Sequence, residues 1–214
     1  MRLPALEAAL GEPRRAAPPE RVRGLIAAQQ LQSEILIGWV QFALILFWIV
    51  LYAVAPKTSA GTRFLPVPWV LGAFLLVSVL RLALAHRHRL TPPLLVAGVL
   101  LDMALLMGLI WSFHLQYEQP APFYLKAPTL LYVFIFIALR ALRFEPLYVV
   151  AAGLAGAAGW VALLVYAAAS GEMAITRNYV HYMTSNSVLV GAEVDKILSI
   201  LLVTAVLALG LVRA

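Results

Sequence analysis

Few residues in this chain have side chains able to do chemistry, and four of them are histidines: His86, His88, His114 and His181. Neutral imidazole is the commonest metal ligand, and a pair of histidines from two helices is the usual way to hold b-type haem in a membrane bundle. Four histidines, two toward each end of the apolar segments, suit one or two noncovalent haem b groups. The iron ligands are then His114 and His181, with His86 or His88 serving a second haem. Residues two apart face different sides of a helix, so His86 and His88 cannot both reach one iron from the same helix. A plainer reading makes that pair part of the basic interfacial run of residues 86–89. His114 shares a helical face with Met103, Met107 and Trp111, which suits a flat cofactor, although an interfacial histidine needs no ligand. His181 reads equally well as an ordinary loop residue.

Other polar residues sit where they are costly. Tyr124, Lys126 and Arg177 offer donors at interface depth, suited to a quinone head group or a haem propionate, while Tyr124 also fits an aromatic belt. Asp102 falls in the middle of an apolar segment, so it is either functional or paired with a polar group such as Gln41. Arg81 can snorkel to the nearer interface and needs no function. Glu193, Asp195 and Lys196 crowd the start of the last apolar segment, with Asn186 or Ser187 as its cap, and suit an ion cluster or a dimer contact. No phosphate-binding loop, nucleophile elbow, HExxH or GxGxxG is present, so no catalytic residue is assigned.

The elements that position these residues follow from composition. Of 214 residues, 63% are hydrophobic and only 12% charged, about half the charged fraction of a soluble domain. The apolar residues come in blocks long enough to cross a bilayer as helices, so the expected fold is an all-α membrane protein, a six-transmembrane-helix bundle. The spans are 35–55, 67–85, 93–114, 127–142, 147–169 and 194–212. Before them, residues 1–34 form a polar leader, partly disordered, whose residues 20–33 suit an amphipathic helix with Val22, Leu25, Ile26 and Gln29 on one side. The absence of cysteine excludes disulfides, thiolate metal sites and covalent haem attachment.

Charge sets the orientation. Arg2, Arg14, Arg15, Arg21 and Arg23 lie in the leader, Arg81, Arg87 and Arg89 at the second-to-third connection, and Arg140 and Arg143 at the fourth-to-fifth. The alternate connections hold only Lys57, Arg63, Lys126, Arg177 and Lys196. The positive-inside rule therefore expects both termini in the cytoplasm. The net charge of +6 is mostly arginine at helix ends, which favours membrane orientation over nucleic-acid binding. In the fifth span, Ala151, Ala155 and Gly159 at four-residue spacing suit close helix packing. The last span reaches Ala214 without a turn signal, as expected of a helix that continues into a cytoplasmic domain.

Two stretches carry a family resemblance: residues 111–146, and residues 182–196 with their run YMTSNSVLVGAEVDK. The chain from about residue 35 onward resembles the six-span membrane anchor of bacterial class III adenylate cyclases of the CyaC type. The resemblance implies a diheme b-type cytochrome anchor in the bacterial inner membrane, responsive to the redox state of the quinone pool and working as a homodimer. His86, His88, His114 and His181, the only histidines present, would be its haem ligands. It further implies a cytoplasmic cyclase domain, outside these residues, that converts ATP to cAMP. No catalytic activity is then expected of this chain itself. The alternative is a haem-free membrane receptor or dimerisation anchor that binds a lipid or another small ligand.

Overall fold

The structure, a computed structural model, describes residues 20–55 and 65–213. The described residues form seven α-helices: α1 (Glu20–Val54), α2 (Pro66–His86), α3 (Pro92–Gln116), α4 (Leu131–Ala141), α5 (Pro146–Ala169), α6 (Tyr179–Thr184) and α7 (Val190–Arg213). Two 3-10 turns, Ala121–Lys126 and Pro128–Leu130, join α3 to α4. Among the described residues the only β pairing is an isolated bridge between Ile175 and Val188. Among the described residues, five helices are long and apolar enough to cross a membrane: Ala28–Val54 within α1, then α2, α3, α5 and α7. This is a helical, multi-pass membrane architecture.

Local sequence explains the helix boundaries. Proline occupies the first turn of α2, α3 and α5, where its fixed φ suits the helix and its missing N–H costs nothing. The turns that follow α2, α3 and α4 each place one residue in the left-handed region: His88, Glu118 and Phe144. The Asn178 side chain accepts from the backbone N–H groups of Val180 and His181 and so starts α6.

Three boundaries differ from the sequence reading. The leader helix and the first span are one continuous helix, because nothing between residues 20 and 54 breaks the backbone pattern. The last helix starts at Val190 rather than at 194, and neither Asn186 nor Ser187 caps it. Asn186 donates instead to Gln119, and the Ser187 hydroxyl meets those of Ser185 and the His181 carbonyl. Third, α4 has 11 residues, about 16 Å of helix against a hydrocarbon core of about 30 Å. Ahead of it, Tyr124 and Leu125 are buried in the 3-10 segment, which packs on α3 and α5. Irregular backbone is tolerated at such depth only inside protein and with its carbonyls satisfied. Here the Lys196 ammonium donates to the Leu125 carbonyl at 2.6 Å.

Helices α3 and α5 form the centre, with α2 and then α1 on one side and α4 and α7 on the other. The close approaches to α5 are made at its glycines. A Cβ on Gly153 would fall 1.9 Å from Thr204 Oγ1 of α7, and one on Gly159 would fall 2.6 Å from Met107 Cγ of α3. Ala151 and Ala155, expected on this face beside Gly159, are half-buried at its flank, and Gly153 and Gly156 take their places. Residues 1–19, with Arg2, Arg14 and Arg15, and residues 56–64, with Lys57 and Arg63, lie outside the described residues, as do the side chains of Val22, Arg23 and Ile26.

Candidate functional site

Helix α1 carries Gln30, Glu34 and Gln41 at spacings of four and seven, a polar stripe that runs from its polar first half into its apolar second half. Across from it stand Arg81 near the end of α2, Asp102 in mid-α3, Arg140 at the end of α4, and Arg143 and Glu145 in the turn before α5. The structure brings all of these together. Gln41 Nε2 donates to Asp102 Oδ1 at 2.6 Å. Asp102 Oδ2 accepts from Arg81 Nη1 at 2.8 Å and from Arg140 Nη2 at 2.5 Å. Arg81 Nη2 reaches Glu34 Oε2 at 2.9 Å, and Arg143 Nη1 reaches Glu34 Oε1 at 2.8 Å. Arg143 Nε continues to Glu145 at 3.1 Å, Gln30 donates to the same Glu145 oxygen, and the Arg143 guanidinium lies over the Tyr148 ring.

Three arginines and three carboxylates thus balance to zero charge in a chain that runs from the Glu145 turn to the middle of α3. Asp102 is 1% exposed and Arg140 2%. Burying one such ion alone is prohibitive, and only this mutual pairing makes the arrangement tenable. Donors still exceed acceptors: Arg81 Nε, Arg140 Nε and Arg140 Nη1 are buried without a partner among the described residues.

Asp102 pairs with Gln41, as its position in the sequence suggests, but Arg81 does not snorkel. It is 8% exposed and turned inward because two carboxylates await it there. Sequence reasoning missed Glu34 altogether, although its alignment with Gln30 and Gln41 was the available signal.

The opposite end of the bundle holds a second polar group. Lys126 donates to the carbonyls of Tyr182 and Ser185, closing the end of α6, and its ammonium lies 4.5 Å from the Tyr182 ring centre. Burial raises the Tyr182 phenol, with Glu193 reinforcing it. Glu193, 1% exposed, is held by Lys196 at 2.7 Å and by Trp160 Nε1 at 3.0 Å, whereas Asp195 is exposed and outside this cluster. The Tyr124 hydroxyl donates to the Leu163 carbonyl at 2.6 Å. The donors expected of Tyr124 and Lys126 toward a quinone or propionate are therefore already engaged in the fold, while Arg177 is exposed.

The histidines are placed separately. His114 is buried at the end of α3, its ring 5.3 Å from Trp111, 5.4 Å from Tyr124 and 5.9 Å from Tyr166 between centres. Its Nδ1 meets the Trp111 carbonyl at 2.5 Å, which leaves Nε2 as the free nitrogen. His86 is exposed with Nδ1 on the Leu82 carbonyl, and His88 and His181 are exposed as well. No hydrogen bond or ring contact joins any two of the four, and no cluster of three or more metal-ligating side chains occurs among the described residues. The Met103 and Met107 side of α3, suited in principle to a flat cofactor, is filled by Gly156 and Gly159 of α5.

Comparison with protein-family models, curated proteins and solved structures finds no match.

Proposed function

We propose that this chain is the membrane anchor and sensor of a signalling protein, and that the buried charge network is its coupling centre. The network carries the proposal, because it ties α1, α2, α3, α4 and the start of α5 through directional bonds that have few alternatives short of full rearrangement. Ionisable groups at such depth are expensive and mark functional positions in membrane bundles by default. A network with two discrete arrangements converts a local change at one end into a different packing of helices. In this reading the short α4 with its 3-10 lead completes a sixth crossing, both termini face the cytoplasm of a bacterial cell, and the chain works as a homodimer. Its output passes along α7 to a cytoplasmic adenylate cyclase domain, as in the class III cyclase anchors that it resembles. The test is output. With a cyclase reporter domain joined after α7, Asp102→Asn is expected to change cAMP production per folded molecule by about fivefold or more.

A second reading, haem-based redox sensing of the quinone pool, is favoured by one observation. His114 is buried with Nδ1 held by a backbone carbonyl, the arrangement that fixes the tautomer and presents Nε2 to a metal. The second axial ligand would then come from a second copy of the chain or from a methionine. Protein expressed with ample haem and purified should show a Soret band that His114→Ala removes. A flat visible spectrum in the wild type excludes this reading.

A further inference from the structure

A cavity of about 330 Å³ opens beside the network, between residues 30–34 of α1 and the α2–α3 turn. Its polar wall is Gln30, Glu34, His88 and Arg143, and its apolar wall includes Leu31 and Leu95. Unused bonding capacity points inward from several sides. Arg143 spends Nη1 on Glu34 and Nε on Glu145, which leaves both N–H groups of Nη2. Neither ring nitrogen of His88 is engaged, and Gln30 uses only its amide nitrogen. Both carboxylates nearby are already neutralised by arginine, Glu34 by Arg81 and Arg143, and Glu145 by Arg143. The donors left open to the cavity are Arg143 Nη2 and His88, beside the unused Gln30 carbonyl oxygen, and no lining carboxylate is left without an arginine. The exposed Arg87 and Arg89 flank His88 at this end.

We infer that this cavity is a binding site for a phosphate group carried on an apolar body, with Arg143 and His88 holding the phosphate and the leucines holding the body. Planar guanidinium donors suit phosphate oxygens, and this end of a membrane bundle lies at headgroup depth. Arg143 is shared between the ligand and Glu34. Drawing it toward a phosphate loosens Glu34, which then bonds more fully to Arg81, and Arg81 in turn shares Asp102 with Arg140. Occupancy of the cavity is thereby felt in the middle of the bundle. The inference rests on reading the chain as a sensor, but the site is tested by binding alone, so its failure leaves the output test untouched.

The probes are dioctanoyl phosphatidic acid, dioctanoylglycerol, which has the same body without phosphate, and inorganic phosphate. Each is titrated against the purified full chain by microscale thermophoresis. The phosphatidic acid should bind, and the dioctanoylglycerol should bind about tenfold or more weakly. His88→Glu, at an exposed position, and Leu31→Trp, which fills the apolar side, should each weaken binding about tenfold while circular dichroism stays unchanged. Displacement by millimolar inorganic phosphate would show that free phosphate competes for the same donors, and failure of displacement that the headgroup must come on its apolar body. Equal binding of both dioctanoyl probes, no binding of the phosphatidic acid, or binding untouched by both variants overturns the inference.

Discussion

Asp102→Leu is expected to destabilise the folded bundle by about 3 kcal/mol or more, the usual cost of removing one partner from a buried ion pair. The loss exceeds that of an ordinary core substitution because two guanidinium groups depend on this one carboxylate. Arg81 keeps Glu34 as a partner. Arg140, 2% exposed, keeps only the Gln41 carbonyl at 3.2 Å, with its other two nitrogens already unpartnered. If the cost is that of a stranded cation, removing the cation should recover much of it. Asp102→Leu/Arg140→Leu should therefore be more stable than Asp102→Leu alone, with a coupling energy of about 1–3 kcal/mol from the double-mutant cycle. The measurement is thermal unfolding of the four proteins in one detergent. Additive losses would mean that the two side chains do not act on one another.

The second large effect concerns packing. Gly153→Val should cost about 3 kcal/mol and weaken the seating of α7, because the new Cβ falls 1.9 Å from Thr204 Oγ1, 2.4 Å from Cγ2 and 2.6 Å from Cβ. These atoms sit close to the α7 backbone, so rotating a side chain cannot clear them and the helices must separate. The choice of rescue follows from the distances. Thr204→Ala removes Oγ1 and Cγ2 but keeps the Cβ at 2.6 Å, so it should rescue only part of the loss. Thr204→Gly clears all three and should restore the contact, less the roughly 1 kcal/mol that glycine costs within a helix. Melting temperatures of Gly153→Val with each partner change test this order directly.

How much of this was legible beforehand depended on what each signal encodes. The ends of α2, α3 and α5 were readable to within two residues, because proline marks each start and a polar turn follows each end. The continuity of α1 was hidden by its change from polar to apolar composition at about residue 34, a change of surroundings rather than of backbone. Helix α4 read as a full span because residues 127–142 are mostly apolar, while only Leu131–Ala141 of that length is α-helical and Pro128–Leu130 is a 3-10 turn. The histidines show the same limit. Position along a helix was readable, but rotation was not, and rotation decides that the Met103 and Met107 side of α3 meets α5. Arg81 and Glu34 were misjudged or missed for another reason. A charge near a helix end looks solvated until a partner is placed 47 residues away in sequence. Asp102 was the exception, since its depth alone demands a partner and Gln41 lay at matching depth.

The central claim is that the charge network transmits a signal and does not merely hold the bundle together. Asp102→Leu/Arg140→Leu separates the two roles, because it restores packing while deleting the shared bonds. With the cyclase reporter after α7, the account predicts that this stable double variant still departs from wild-type cAMP output, by about fivefold or more per folded molecule. Wild-type output from a double variant that is folded and inserted would contradict it.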